Sequence, residues 1–357
     1  RFANKRRSSR HDPALPLFTQ DDAMAALDRL RPVDFDTDVE VVPGITARFG
    51  RAGHILGASW VRLDDGRRSV LFSGDLGRDD DLLMVAPSPP AAADHVVIES
   101  TYGDRAHPDQ DPLATMERIV CSTIDRHGIV LVPVFAVGRA QTILHILAEL
   151  RAQGRIPAVP VYLNSPMAID ATELFVAAPH EHRLTDGQVR ALCRDVEFVR
   201  DVEASKELTR RRDPMIVLSA SGMLTGGRVL HHLMQVAPDR RNTIVLAGYQ
   251  ATGTRGESLA RGATTLRVYG EDVPVRAHVE RIDSLSAHAD ADGLLDWLAS
   301  APASPSAVSV VHGEAGAADT MRRRISLELD LPAAVPGMGD SVIVTSGRLV
   351  DPQSGDD

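Results

Sequence analysis

Between residues 111 and 247, short apolar runs alternate with stretches of helical period, and this rhythm constrains the fold more than any other feature. Asp111–His127 carries apolar residues at helical spacing and stops at Gly128. Ile129–Val132 is an apolar run too short for a helix and reads as a buried strand. Gly138-Arg139 opens a helix that reaches Ala152; Val159–Leu163 is the next strand and Met167–Ala177 the next helix. Met215–Leu218 and Thr243–Ala247 are further short apolar strands. Strands joined through helices are parallel neighbours, because a parallel pair needs a long crossover. The chain is therefore expected to be α/β, with a mainly parallel sheet at its centre.

The flanks read differently. Val41–Phe49, Trp60–Leu63 and Ser69–Ser73 are predicted strands, the last two joined by an Asp64-Asp65-Gly66 turn, and Val96-Val97-Ile98 is another. Towards the end come a helix over Asp292–Ala299, a strand over Ala307–Val311, a helix over Ala318–Leu329 and a strand over Ser341–Thr345. The polar tail Asp351–Asp357 is expected to fray. A length of 357 residues predicts about two domains.

Composition removes several classes of function. No run of ~18 apolar residues is present, so no membrane span is expected. The start, Arg1–Arg7, is polar and basic with no apolar run behind it, which argues against a secretory signal. Two cysteines, Cys121 and Cys193, exclude a disulfide framework and a cysteine-rich zinc site, and they suit a reducing cytoplasm. With 39 basic and 49 acidic residues the net charge is −10. Such a chain does not hold a polyanion by bulk charge; it needs a local basic groove or metal ions.

Histidine is the informative residue. Three of the thirteen sit in glycine-containing turns beside apolar strands: His54, His288 and His312. Asp75 sits in a similar turn. Turns on a rigid scaffold present catalytic and ligand side chains, and imidazole with carboxylate is the donor set of hydrolytic zinc sites. Taken singly, each is equally readable as a hydrogen-bonded structural residue. His180-Glu181-His182 follows Pro179 and reads as a solvated loop, and His231-His232 points two ways from one helix, so neither pair is expected to bind metal.

The turns occur in a fixed order: Gly53-His54-Ile55-Leu56-Gly57, Ser73-Gly74-Asp75-Leu76-Gly77, Glu99-Ser100-Thr101-Tyr102-Gly103-Asp104-Arg105, Ser286-Ala287-His288-Ala289-Asp290 and Val311-His312-Gly313-Glu314. Between them lie Val134–Gln141, Asn164–Ala168, Ser219–Leu224 and Gly248–Thr254. As an ordered set they resemble the later motifs of the β-CASP branch of the metallo-β-lactamase fold. The resemblance is to ribonucleases similar to the endonuclease subunit of the cleavage and polyadenylation specificity factor.

That resemblance implies a metallo-β-lactamase fold, an αββα sandwich, in two pieces at 1–105 and 285–357, with a β-CASP α/β cap inserted at 106–284. It implies a zinc-dependent RNA phosphodiester hydrolase, endo- or exoribonuclease, with two zinc ions per active site. His54 then resembles the ligand of the first zinc, Asp75 the bridging aspartate and His312 the ligand of the second. Relatives acting on DNA tend not to carry histidine at that last position. His288 resembles the histidine that protonates the leaving oxygen, and Glu99 the acid that orients it. Arg139 at a helix start, with Ser219 and Ser221 in a turn after a strand, are candidate phosphate ligands; ordinary capping and turn chemistry is the other reading. The expected partner is RNA, and by analogy the chain is expected to be a homodimer.

Two departures qualify this. The family's His-x-His-x-Asp-His segment is absent from the 357 residues. The resemblance places it upstream of Pro13–Leu17, so the chain as given is expected to be an inactive, N-terminally truncated form. Its fold is expected to be incomplete at the N-terminus, with apolar faces left uncovered and poor stability. After Gly253-Thr254-Arg255-Gly256, where relatives often carry arginine, Glu257 stands and is expected to repel phosphate. A non-catalytic scaffold, a metal hydrolase of non-nucleic-acid esters and a DNA repair nuclease stay open on these residues alone.

Overall fold

The alternation of strand and helix resolves into two sheets of different character. The computed structural model describes residues 15–344. The first sheet runs in the order β1 (Asp38–Val42), β2 (Ile45–Arg51), β3 (Ser59–Asp64), β4 (Ser69–Phe72), β5 (His95–Ile98), β14 (Ala307–Val310) and β15 (Ala333–Ala334). Its first four strands are antiparallel neighbours, and from β4 onward the pairs are parallel. The single strand expected over Val41–Phe49 is a hairpin instead. Pro43 cannot donate to a ladder, and Gly44 takes a φ of +79°, so the chain turns there.

One face of this sheet is a dry core. Trp60, Leu71, Val96, Ile98, Val308 and Val310 pack on helices α9 (Ala291–Ala299) and α10 (Ala315–Glu328) through Leu294, Leu298, Met321 and Ile325. The pleat sends Val61, Leu63, Val70, Phe72 and Val97 to the other face, where they join none of the buried clusters. Phe72 is 42% exposed. Val61, Leu63, Val70 and Val97 are half-buried, so among the described residues this face is only partly covered.

The second sheet is parallel throughout: β13 (His278–Ile282), β10 (Thr243–Ala247), β6 (Ile129–Pro133), β9 (Met215–Ser219), β7 (Val161–Leu163) and β8 (Val196–Phe198). Helices α2 (Pro112–Asp125), α3 (Arg139–Ala152), α4 (Pro166–Ala177) and α5 (Asp186–Arg194) cover one face with β6 residues Val130 and Val132. Helices α6 (Val202–Arg210) and α7 (Val229–Val236) cover the other with Ile129 and Leu131. Cover on both faces is why these strands read as continuous apolar runs rather than alternating ones. Helix α8 (Arg255–Ala260) and the hairpin β11 (Thr265–Val268) with β12 (Glu271–Pro274) complete this part.

The sequence reading misses the amphipathic α1 (Gln20–Leu27), which is capped by Thr19 and buries no side chain. The strand expected over Ser341–Thr345 does not form as a continuous element through residue 344. Thr345, the tail Asp351–Asp357 and the basic start Arg1–Arg7 lie outside the described residues. No helix among the described residues is long and apolar enough to cross a membrane.

The chain passes from the first sheet to the second between β5 and α2, and returns between β13 and α9. The two crossings are stitched together. The His107 N–H donates to Asp290 Oδ2 at 2.9 Å, the Ala291 N–H to the Arg105 carbonyl at 3.1 Å, and the Asp283 N–H to Gln110 Oε1 at 3.1 Å.

Candidate active site

Four turns that follow strands of the first sheet meet the second crossing at one cleft. His54 follows β2, and Asp75 follows β4. The two turns are nested: a Cβ on Gly77 would lie 2.1 Å from the Gly53 carbonyl oxygen, so only glycine lets them approach this closely. Asp75 stands between two imidazoles. Its Oδ1 lies 3.1 Å from His312 Nδ1 and its Oδ2 lies 3.9 Å from His54 Nε2. His312 follows β14 with a φ of +55°, and its carbonyl accepts from Thr101 Oγ1 at 3.2 Å.

Glu99 follows β5 and is 1% exposed. Its carboxylate accepts from His288 Nδ1 at 3.0 and 3.1 Å, from the Leu76 N–H at 2.6 Å and from the Thr101 N–H at 3.3 Å. Burial pushes the Glu99 carboxyl up, but the His288 hydrogen bonds outweigh it, and its pKa lies below the ordinary value. Burial likewise pushes His288 down, and the same bonds with the Glu99 charge hold it above its ordinary value. Each partner thus favours the charged form of the other. His54, 4.3 Å from His288 ring to ring, goes the other way: burial first, then the His288 charge, lower its pKa. Neutral imidazole is the form that binds a metal.

The donors fit a divalent metal in kind. His54, Asp75 and His288 offer atoms within 4.8 Å of one another, and so do Asp75, Glu99 and His312. Two imidazoles flank one carboxylate with an oxygen toward each, which suits a shared ligand. His54 Nδ1 is buried, and the Ala287 backbone beside it does not reach hydrogen-bond geometry. The set is short in number: with His288 Nδ1 bonded to Glu99, His54 and His312 are the imidazoles free for metal among these groups, one toward each oxygen of Asp75, where a catalytic zinc takes three protein ligands and a water.

Of the candidate phosphate ligands, Arg139 borders the cleft, at the end of a cavity of about 430 Å³ that also touches His54 and His288. Its helix end is not free: the N–H groups of Arg139 and Ala140 are taken by the carbonyls of Val137 and Phe135. The two serines are not brought to that cavity. Ser219 is fully buried in β9 and its hydroxyl donates to the Asn164 carbonyl at 2.9 Å, leaving it no donor for a phosphate. Ser221 accepts from the Thr225 N–H at 3.0 Å and closes its own turn.

Other expectations are adjusted by burial. His182 is not a solvated loop residue: it is 5% exposed and stacks on Phe175 at 4.2 Å, while His180 is exposed. Glu257 pairs with Arg261 one helical turn on, which offsets the charge expected to repel phosphate. His232 is buried and bonded to Asn164 at 2.7 Å. Sequence reasoning gave no role to His107, whose Nε2 donates to the His288 carbonyl at 2.9 Å, or to Glu314, whose carboxylate accepts from Tyr249 at 2.8 Å and Thr252 at 3.1 Å. His107 lies five residues from Tyr102, and Glu314 two from His312, so adjacency to known motifs was the available signal.

Comparison with known proteins follows the same lines. The sequence model of the β-CASP domain matches residues 140–259, and that of a Zn-dependent metallo-hydrolase RNA specificity domain matches residues 272–336. The chain is 38% identical over 309 residues to Ribonuclease TTHA0252 of Thermus thermophilus, covering 84% of this chain and 69% of that protein. It is 30% identical over 333 residues to an RNase J-like protein of Methanocaldococcus jannaschii, covering 90% and 76%. It is 34% identical over 281 residues to Endoribonuclease ysh1 of Schizosaccharomyces pombe, covering 77% of this chain but 37% of that longer protein.

Proposed function

This chain belongs to the β-CASP family of the metallo-β-lactamase fold, and from that premise we propose that it is a zinc-dependent hydrolase of RNA phosphodiester bonds. The observation that carries the reading is the buried Glu99–His288 pair beside the shared carboxylate of Asp75. Ribonuclease and endoribonuclease are the printed names of its relatives, and RNA is the substrate they suggest.

In this reading His54, Asp75 and His312 would hold zinc. Bound zinc would activate water and offset charge on the phosphate. Nδ1 of His288 is held by Glu99, which leaves Nε2 to deliver a proton to the leaving oxygen. Hydrolysis then yields one phosphate end and one hydroxyl end. Glu99 favours the charged ring and orients it, as a buried carboxylate does for a catalytic imidazole. We assign the metallo-β-lactamase part to 1–105 and 285–357 and the cap to 106–284; the strands of the first sheet fall in the former and those of the second in the latter.

A non-catalytic RNA-binding scaffold is the second reading, favoured by the short ligand set around Asp75 among the described residues. One experiment separates them. Zinc content and RNA cleavage are measured on the same preparation, for these 357 residues and for the chain with whatever coding sequence precedes Arg1. About two zincs together with cleavage in either form supports the hydrolase; neither zinc nor cleavage in both forms supports the scaffold.

A further inference from the structure

The His288 backbone is gripped as closely as its ring. The peptide joining it to Ala289 is held at both edges. The Ala289 N–H donates to the Leu76 carbonyl at 2.8 Å, and the His288 carbonyl accepts from His107 Nε2 at 2.9 Å. No other donor among the described residues reaches that carbonyl. A carbonyl has no proton to give, so His107 carries its own on Nε2. Burial, and then the Arg78 charge, lower the His107 pKa, and the ring is neutral at neutral pH. Its Nδ1 is buried with no hydrogen-bond partner among the described residues. The hydrogen bonding of this imidazole is therefore directed at one atom, the carbonyl of His288.

Glu99 alone does not fix the ring. An imidazole held through Nδ1 can still turn about that bond and swing Nε2, the atom assigned to the leaving oxygen. A planar peptide held at both edges cannot turn, and it sets the direction in which the His288 side chain leaves the backbone. Two of the grips come from turns of the first sheet and are tied to each other: the Leu76 N–H donates to Glu99 Oε1 at 2.6 Å. The third comes from the crossing between β5 and α2, on which His107 lies. The buried Tyr102 ring flanks both imidazoles, 5.1 Å from His107 and 6.3 Å from His288.

We propose that His107 is a positioning residue for RNA cleavage: its Nε2–H fixes the His288 peptide and so aims Nε2 of His288 at the leaving oxygen. This rests on the reading of His288 as the proton donor. As the water oxygen bonds to phosphorus, the bond from phosphorus to the leaving oxygen breaks with its electron pair on that oxygen, and the proton from His288 Nε2 neutralises it. His107 gives up no proton in this step. Its N–H bond to Asp290 at 2.9 Å is a backbone contact that every substitution but proline keeps. Variants at this position therefore remove the ring's bond and leave the stitch between the crossings in place.

The test compares His107→Leu, which removes the donor, with His107→Gln, whose amide N–H can replace it. On zinc-loaded protein, in whichever form of the chain cuts RNA, His107→Leu is expected to lower kcat ~100-fold with KM unchanged, as a small misplacement of a catalytic group does. His107→Gln is expected to recover most of that loss. RNA with sulfur in place of the leaving oxygen needs no proton donor, because a thiolate leaves unaided, and His107→Leu is expected to cut it at nearly the wild-type rate. Equal losses on the two substrates, or no recovery in His107→Gln, overturn the proposal and leave the residue a structural one. A second readout needs neither metal nor cleavage. In metal-free protein with isotope-labelled histidine, the His288 Nδ1–H resonance, identified by its loss in Glu99→Gln, is expected to broaden in His107→Leu and sharpen again in His107→Gln. An unchanged resonance in His107→Leu also overturns the proposal. If the wild type cuts no RNA while this resonance responds, the hydrolase reading falls and the alignment by His107 stands. If RNA is cut and neither readout moves, the positioning role alone falls.

Discussion

A carboxylate with 1% exposure stays ionised only against a partner, and for Glu99 that partner is His288. Removing the charge releases the imidazole from what holds its pKa up. Glu99→Gln should therefore move the alkaline limb of the cleavage–pH profile to lower pH; an unmoved limb would remove His288 from the acid role. The stability signs are opposite for the two groups. The raised His288 contributes below its unfolded value of 6.5 and loses that as pH rises through its folded pKa. The lowered Glu99 contributes above 4.5 and loses that as pH falls through its own. The two overlap between 4.5 and 6.5, where His288→Ala should cost the most, ~3 kcal/mol for stranding a buried charge, read by thermal melts across pH. Zinc content should fall in Asp75→Ala and hold in His288→Ala. At this scale the sequence was legible where a turn motif carries the residue, as for His54, Asp75 and His312. It was illegible where burial decides, as for Ser219 and His182, because neighbours far along the chain set burial.

Elements carry these residues, and their contacts are as exacting as the residues themselves. The nesting of the Gly53 and Gly77 turns leaves no room for a methyl group, since the obstacle is backbone rather than a movable side chain. Gly77→Ala should cost ~3 kcal/mol and, by displacing His54 from Asp75, lower zinc affinity. A drop in melting temperature with zinc binding intact would show that the turn serves packing only. Strands β6, β7, β9 and β10 of the second sheet were readable because each is a short apolar run; β8 and β13 were not, because charged residues interrupt them. The hairpin at Pro43-Gly44 was not, because apolar residues continue on both sides of it and only the proline and the glycine mark the turn.

For the molecule as a whole, the pattern of strands announced an α/β protein, and the open face of the first sheet has a measurable consequence. Among the described residues, Val61, Leu63, Val70, Phe72 and Val97 form a partly covered apolar surface outside the buried clusters. The 357-residue chain should bind an anilinonaphthalene dye and self-associate as concentration rises. Phe72→Ser should reduce both with a stability change of about 0.5 kcal/mol or less, as for a surface substitution; unchanged dye binding would locate the sticky surface elsewhere. The two crossings between the sheets carry a second consequence. They are the chain's covalent links between the halves, they are stitched together by His107 and Asp290, and Glu99 and His288 sit on them. The acid pair is thus seated on the joint between the halves. Other contacts span that joint: Tyr249 and Thr252 donate to Glu314, and Arg51 pairs with Glu181. The alignment of His288 therefore draws on both crossings, and a substitution in either reaches the acid pair.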